Sequence, residues 1–187
     1  MSKQIKVSVR NLVEFVLRSG DIDNTFMGST RAVEGTRAHQ KVQNSYGEEY
    51  TPEVVLKHIL NYEDFTIEIE GRADGILKTD ENIIIDEIKS TVRPLDELDE
   101  DYNPLHWAQG KCYGYMYAIE KGIEELKIQL TYFNIESEET KKFIRSYSFK
   151  ELEEFFLGLI GEYIEWANMT FYWGKVREAS IEELSFP

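Results

Sequence analysis

Cysteine occurs once in this 187-residue chain, at Cys112, so no disulfide can form within it and no iron–sulfur cluster or structural zinc that needs several thiolates can be held by it. The simplest reading of Cys112 is a small buried hydrophobe. No apolar run reaches the length needed to cross a bilayer, and the opening MSKQIKVSVR lacks the apolar core of a secretory signal. The expectation is a cytoplasmic protein with no membrane partner. Proline is scarce, at four residues, and no repeat or low-complexity segment divides the chain. With 42% hydrophobic and 13% aromatic residues, the chain can bury one substantial core and is too short to suggest two. Residues 1–187 therefore read as a single domain.

Positive charge is the other shortage. Lys and Arg number 21 against 35 Asp and Glu, a formal net charge of −14. On its face this argues against nucleic acid as a partner, because phosphates are held by Lys and Arg. The deficit is uneven, however. Residues 1–46 carry seven basic and four acidic side chains, a balance of +3, which leaves −17 for the remainder. Contacts to a polyanion should therefore draw on the N-terminal segment, with the acidic stretches 94–101 and 136–139 forming a solvated face.

What is present follows two periods. VRNLVEFVLRSG places Leu12, Val13, Phe15, Val16 and Leu17 at the spacing of a short buried helix stopped by Gly20, and the turn-rich GDIDNTFMGST follows. A second helix is predicted from about Thr30, carrying Arg31, Arg37 and His39 among its polar side chains. Thr51 to Leu60 reads as a further short helix, with Thr51 as cap and Pro52 in the first turn. The period then becomes two. FTIEIEGRADGIL alternates, and NIIIDEIKST is a β-branched run after the turn TDEN, which together resemble a β-hairpin.

NPLHWAQGKCYGYMYAIEKG is predicted to be a long helix with Ala108, Cys112, Tyr115 or Met116, and Ile119 at core spacing. Two strands, ELKIQLTYFNIES and KKFIRSYSF, lead to a closing helix from about Phe149 to Tyr172. Its apolar stripe is Leu152, Phe155, Phe156, Leu159, Ile160, Tyr163 and Trp166. The order implies an α/β domain in which helices pack on a central mixed sheet.

Charged residues set inside apolar strands carry the chemical signal. Asp74 follows Gly71-Arg72-Ala73, and thirteen residues later Glu87-Ile88-Lys89 ends an isoleucine run. Residues two apart on a strand share a face, so Glu87 and Lys89 should project together while Ile88 points away. Asp86 competes for the acidic role, but the spacing to Lys89 favours Glu87. A hairpin that brings Asp74 beside Glu87 would gather two hard oxygen ligands, a set suited to Mg²⁺ or Mn²⁺. Such a metal stabilises charge and sharpens a water nucleophile, and Lys89 could position that water or neutralise charge developing on phosphorus.

These residues and their order resemble the PD-(D/E)XK nucleases of the RecB-like branch, over most of the chain. Four separated motifs carry the resemblance: Gly35-Thr-Arg-Ala-His39, Asp74, Glu87-Ile88-Lys89, and Gln109-Gly-Lys-Cys-Tyr113. It implies a restriction-endonuclease-like core, DNA as substrate, and an ion held by His39, Asp74, Glu87 and the backbone carbonyl of Ile88. It also implies that Gln109 and Tyr113, one helical turn apart, contact DNA or organise the site. Free 3′-hydroxyl and 5′-phosphate ends are the implied products. Ala73 stands where the pattern's proline would be, and the cysteine set of the iron–sulfur members is missing. The ending SIEELSFP resembles the junction before the motor domain of DinG-type helicases, which implies a motor domain in the same full-length chain.

Other readings remain open at this point. Arg10, Arg31, Arg37 and Lys111 could hold phosphates or be solvated surface charge. His106, beside Trp107, could reach DNA or pack at a helix start. Tyr113 and Tyr117 share a helix face that Tyr115 does not, so at least one of the three belongs to the core. A non-cleaving DNA-binding or scaffolding module of a helicase, or a protein-binding accessory domain, would keep the same fold without the reaction.

Overall fold

The computed structural model describes residues 3–17, 29–62 and 64–182. Among these residues the elements run β1 (Lys3–Ser8), α1 (Val9–Leu17), α2 (Ser29–Asn44), β2 (Tyr50–Tyr62), β3 (Phe65–Lys78), β4 (Ile83–Thr91), α3 (Pro104–Lys121), β5 (Glu125–Asn134), β6 (Thr140–Ser148) and α4 (Phe149–Glu182). Six strands form one mixed sheet with helices on both faces. Gly20, the turn-rich residues 21–28 after it, the side chain of Arg31 and residues 183–187 of SIEELSFP lie outside the described residues.

Strand β3 organises the sheet because it is long enough to take three partners. Along one edge it pairs with β2, antiparallel, from Tyr62↔Phe65 to Tyr50↔Leu77. Along the other it pairs first with β1, parallel, over Phe65 to Glu70, and then with β4, antiparallel, only from Gly75↔Asp86 to Lys78↔Ile83. Between these two ladders, residues 71–74 face a gap where β4 has swung away. β4 instead runs parallel to β5 over Ile84↔Lys127 to Thr91↔Asn134, and β5 pairs with β6.

Alternation on β4 sorts the two layers. Ile85 joins the main core with Ile67, Ile69, Leu126, Ile128 and Leu130, which α1, α3 and α4 cover. Ile88 faces the other way into a smaller cluster with Ala38 and Val42 of α2 and Phe133. Helix α3 is the central packing element: Ala108, Cys112, Tyr115 and Met116 are buried, as are Tyr113 and Tyr117. Its ends follow local chemistry. Asn103 accepts from the Leu105 amide at 3.0 Å, Pro104 takes the first helical position, and Gly122 closes the helix in the left-handed region at φ 67°. Helix α4 starts with a reciprocal cap between Ser148 and Glu151.

Four local readings are corrected. Thr51 to Leu60 is not a helix but part of β2. Its Val, Ile and His residues satisfy their backbone on β3, and Pro52 is tolerated because among the described residues β2 is an edge strand with no second ladder. Strand β1 was not anticipated, although Ile5 and Val7 alternate with polar residues across KQIKVS. Ile119 is 42% exposed although Ala118 next to it is buried, and Trp166 and Phe15 are exposed to similar extents. Helix α4 also continues ten residues past the expected end at Tyr172. None of its described residues, nor those of any other helix, forms a stretch long and apolar enough to cross a membrane.

Candidate active site

The gap beside β3 is where the charged residues meet. At its mouth the β2–β3 ladder passes from Pro52↔Gly75 to Val54↔Ala73 without pairing Asp74, and Glu53 opposite it takes φ 55°. A non-glycine residue there costs roughly 1 kcal/mol of backbone strain. The consequence is that the Asp74 carbonyl is offered to α2, where Gln43 Nε2 donates to it at 2.9 Å and to Glu53 Oε1 at 2.8 Å. The Asp74 side chain then spans the gap. Its Oδ2 accepts from the Ile88 amide at 2.7 Å, a strand-to-strand bond made by a side chain after the backbone ladder has ended.

Each side of the sheet contributes to this point. From α2, His39 Nδ1 lies 3.2 Å from Asp74 Oδ1. Burial opposes a charge on His39, but the hydrogen bond and charge of Asp74 outweigh it and hold its pKa above the ordinary histidine value. From β4, Glu87 and Lys89 project toward α3, with Lys89 Nζ 2.6 Å from Glu87 Oε1 and 2.8 Å from Gln109 Oε1. Burial raises the pKa of Glu87, and the charge of Asp74 adds to that while Lys89 works against it. One turn after Gln109, Tyr113 is buried under Gly71. A Cβ at Gly71 would come within 2.7 Å of the Tyr113 ring, so the strand must be bare there. Burial, with Glu87 and Asp74 nearby, raises the Tyr113 pKa and keeps its hydroxyl protonated.

The structure therefore brings His39, Asp74, Glu87, Ile88, Lys89, Gln109 and Tyr113 to one place and leaves other candidates out. Arg37 is exposed and lies two residues from His39, on the far side of α2. Arg10 is paired with Glu14 at 2.9 Å on α1, and Lys111 lies 4.6 Å above the Phe155 ring and 5.1 Å above that of Tyr147. Gly35 is not required by space, since a Cβ there would make only ordinary contact with Ser90. Gln43 was missed by sequence reasoning, although it stands one helical turn after His39 and so on the same face.

Among the described residues no three His, Cys, Asp or Glu side chains are gathered closely enough to cage a metal ion. The donor types nevertheless fit a hard divalent cation. Mg²⁺ in particular is commonly held by one or two carboxylates, with water and substrate phosphate completing its shell. Two carboxylates whose charges oppose each other, one of them buried, also form a place where positive charge is favoured.

No protein-family model matches the chain, and no curated protein matches it by sequence. Solved structures match its fold. The crystal structure of SSO0001 is 18% identical with a TM-score of 0.55, over 83% of this chain and 75% of that one. An alkaline exonuclease, LHK-Exo from Laribacter hongkongensis, is 12% identical with a TM-score of 0.54, and 94% of each chain is covered. At such identities the likeness speaks for architecture alone. The central mixed sheet flanked by helices is the restriction-endonuclease-like fold of that exonuclease.

Proposed function

We propose that this protein is a divalent-metal-dependent nuclease that hydrolyses phosphodiester bonds in DNA. The observation that carries the reading is the convergence of Asp74, Glu87 and Lys89 where β3 and β4 part, with Lys89 held between Glu87 and Gln109. The order of the four motifs supports the RecB-like branch, and with it a role in DNA repair or recombination and an association with a helicase motor.

Asp74, Glu87 and the Ile88 carbonyl, with His39 as an imidazole donor, would hold Mg²⁺ or Mn²⁺. When bound, that ion neutralises phosphate charge and lowers the pKa of water. The chain's own groups do the rest. Lys89 presents a compact ammonium to the oxygen on which negative charge accumulates as water adds to phosphorus. Gln109 keeps that ammonium aimed, and Glu87 prevents it from turning away. Gln43 holds the backbone of Asp74, so the carboxylate stays at the parting of the strands. Tyr113 and Gln109 line the α3 side against which the strand would be oriented. Addition of water and departure of the 3′ oxygen leaves a 3′-hydroxyl and a 5′-phosphate.

The test is cleavage of end-labelled single-stranded and duplex DNA with Mg²⁺, with Mn²⁺ and with chelator, using the native protein, Lys89→Ala and Asp74→Ala. Metal-dependent cleavage lost in both variants is expected. Native protein that binds DNA and leaves it uncut under every condition would replace this reading with the non-cleaving DNA-binding module.

A further inference from the structure

The stripe of α3 that faces Lys89 begins one turn before Gln109. His106, Gln109 and Tyr113 stand three and four residues apart, which places them on one side of the helix. Gln109 sets that side over Lys89 at 2.8 Å. In the parallel β4–β5 ladder Lys89 is the partner of Tyr132, so the two side chains leave the sheet on the same face, side by side. His106 lies over Tyr132, with ring centroids 5.7 Å apart and Nδ1 2.9 Å from the phenolic oxygen.

That contact decides where the imidazole proton sits. Tyr132 is 2% exposed, and among the described residues its hydroxyl makes no other hydrogen bond. A buried donor without an acceptor is costlier than an oxygen with a spare lone pair. The hydroxyl therefore donates to Nδ1, and the ring carries its hydrogen on Nε2. Nε2 makes no hydrogen bond among the described residues, and because no fully buried side-chain nitrogen or oxygen there lacks a partner, it keeps contact with solvent. Burial and the nearby Lys89 ammonium push the His106 pKa down to about 3, which keeps the ring neutral.

We propose that His106 is a substrate-contacting residue whose Nε2–H donates to a phosphate oxygen of the nucleic-acid strand held beside Lys89. The inference rests on the nuclease reading above. A phosphate is the matching partner because its oxygens only accept, and Lys89 with His106 Nε2 presents only donors. A base edge would offer donors as well as acceptors. A ring already oriented by Tyr132 loses little freedom on binding, so the bond adds affinity and direction without adding charge.

His106→Leu keeps the bulk and removes the donor, whereas His106→Gln restores an N–H near the Nε2 position. Steady-state cleavage of a labelled single strand should show about a tenfold higher KM in His106→Leu and near-native behaviour in His106→Gln. Ring nitrogen chemical shifts should place the proton on Nε2 in the native protein and show a tautomer mixture in Tyr132→Phe. Thermal unfolding of each variant checks the fold. If Leu is not tolerated, His106→Asn, whose shorter amide does not reach the Nε2 position, takes its place. Native KM in the donor-free variant, together with cleavage abolished by Lys89→Ala, would remove His106 from the site and leave the nuclease reading intact. A native protein that neither binds nor cuts DNA would remove both.

Discussion

Asp86 and Glu87 are consecutive carboxylates on β4, both buried, and they face opposite sides of the sheet. On the α2 side, Asp86 accepts from four neutral donors: Gln129 at 2.9 Å and Thr131 at 2.6 Å on Oδ1, Tyr46 at 3.0 Å and Tyr50 at 3.2 Å on Oδ2. The two tyrosine rings stack at 4.1 Å, and Lys142 donates to the Tyr46 hydroxyl at 2.7 Å. On the α3 side, Glu87 has Lys89 as its hydrogen-bonding partner and Asp74 as a neighbour of like charge. One carboxylate is fully engaged in holding the fold. The other is kept in an unfavourable setting that a cation or a proton would relieve, which is the condition expected of a working site.

This contrast can be broken from either side. The largest effect on activity should come from Lys89→Ala, which removes the ammonium from the Glu87 side. Cleavage should fall by roughly 10² to 10³, measured as kcat on labelled DNA, while urea unfolding shows a loss of about 1 to 3 kcal/mol from the Glu87 carboxyl left without its partner. On the other side, Asp86→Ala leaves four donors without an acceptor in a buried setting and should cost about 3 to 5 kcal/mol. The check is chemical denaturation, and a loss below about 1 kcal/mol would mean the network contributes far less than its geometry suggests.

Gly75→Ala probes the same network indirectly. A Cβ there would come 1.9 Å from the Tyr50 hydroxyl, so the rigid ring must leave Asp86. A destabilisation of about 2 kcal/mol is expected, read from the denaturation midpoint, with the double variant Gly75→Ala/Tyr50→Ala losing less than the sum of the single changes.

The smallest effect concerns pH. Burial first, then Asp74, pushes the Glu87 pKa up from 4.5 to about 7, so the folded state binds its proton more tightly than the unfolded chain does. The stabilisation belonging to this proton is complete below about pH 4.5 and is lost as pH rises through about 7. In chelator, native protein should therefore weaken relative to Glu87→Gln as pH rises across that window. Thermal melts of the pair at several pH values measure the difference, and parallel curves would show that Glu87 is no worse placed than an ordinary carboxylate.

Legibility in the sequence followed the range of the interactions involved. Glu87 and Lys89 could be assigned to one face because two residues on a strand fix it, and Gln109 with Tyr113 because one helical turn fixes it. The β3–β4 hairpin was readable from the TDEN turn, which the Thr79 and Asn82 hydrogen bonds close. Thr51 to Leu60 was misread because Thr51 and Pro52 imitate a helix start, while the twelve-position pairing with β3 that overrides it depends on residues further along the chain. Asp86 was expected to face away from Lys89 and does, but nothing near it in sequence announces Gln129, Thr131 or Tyr46.

By itself the sequence determined the element types of most of the chain, the separation of Glu87 and Lys89 from Asp86 and Ile88, and the donor chemistry available to a site. Those properties depend on the 3.6- and two-residue periods and on side-chain identity, which act within a few residues. The tertiary structure alone decided that β3 would exchange β1 for β4 along one edge and leave a gap. It also decided that Asp74 would bridge that gap to Ile88, and that His106 would be oriented by a tyrosine twenty-six residues away. Each of these requires distant strands or helices to be held side by side, and only closure of the whole core brings them there.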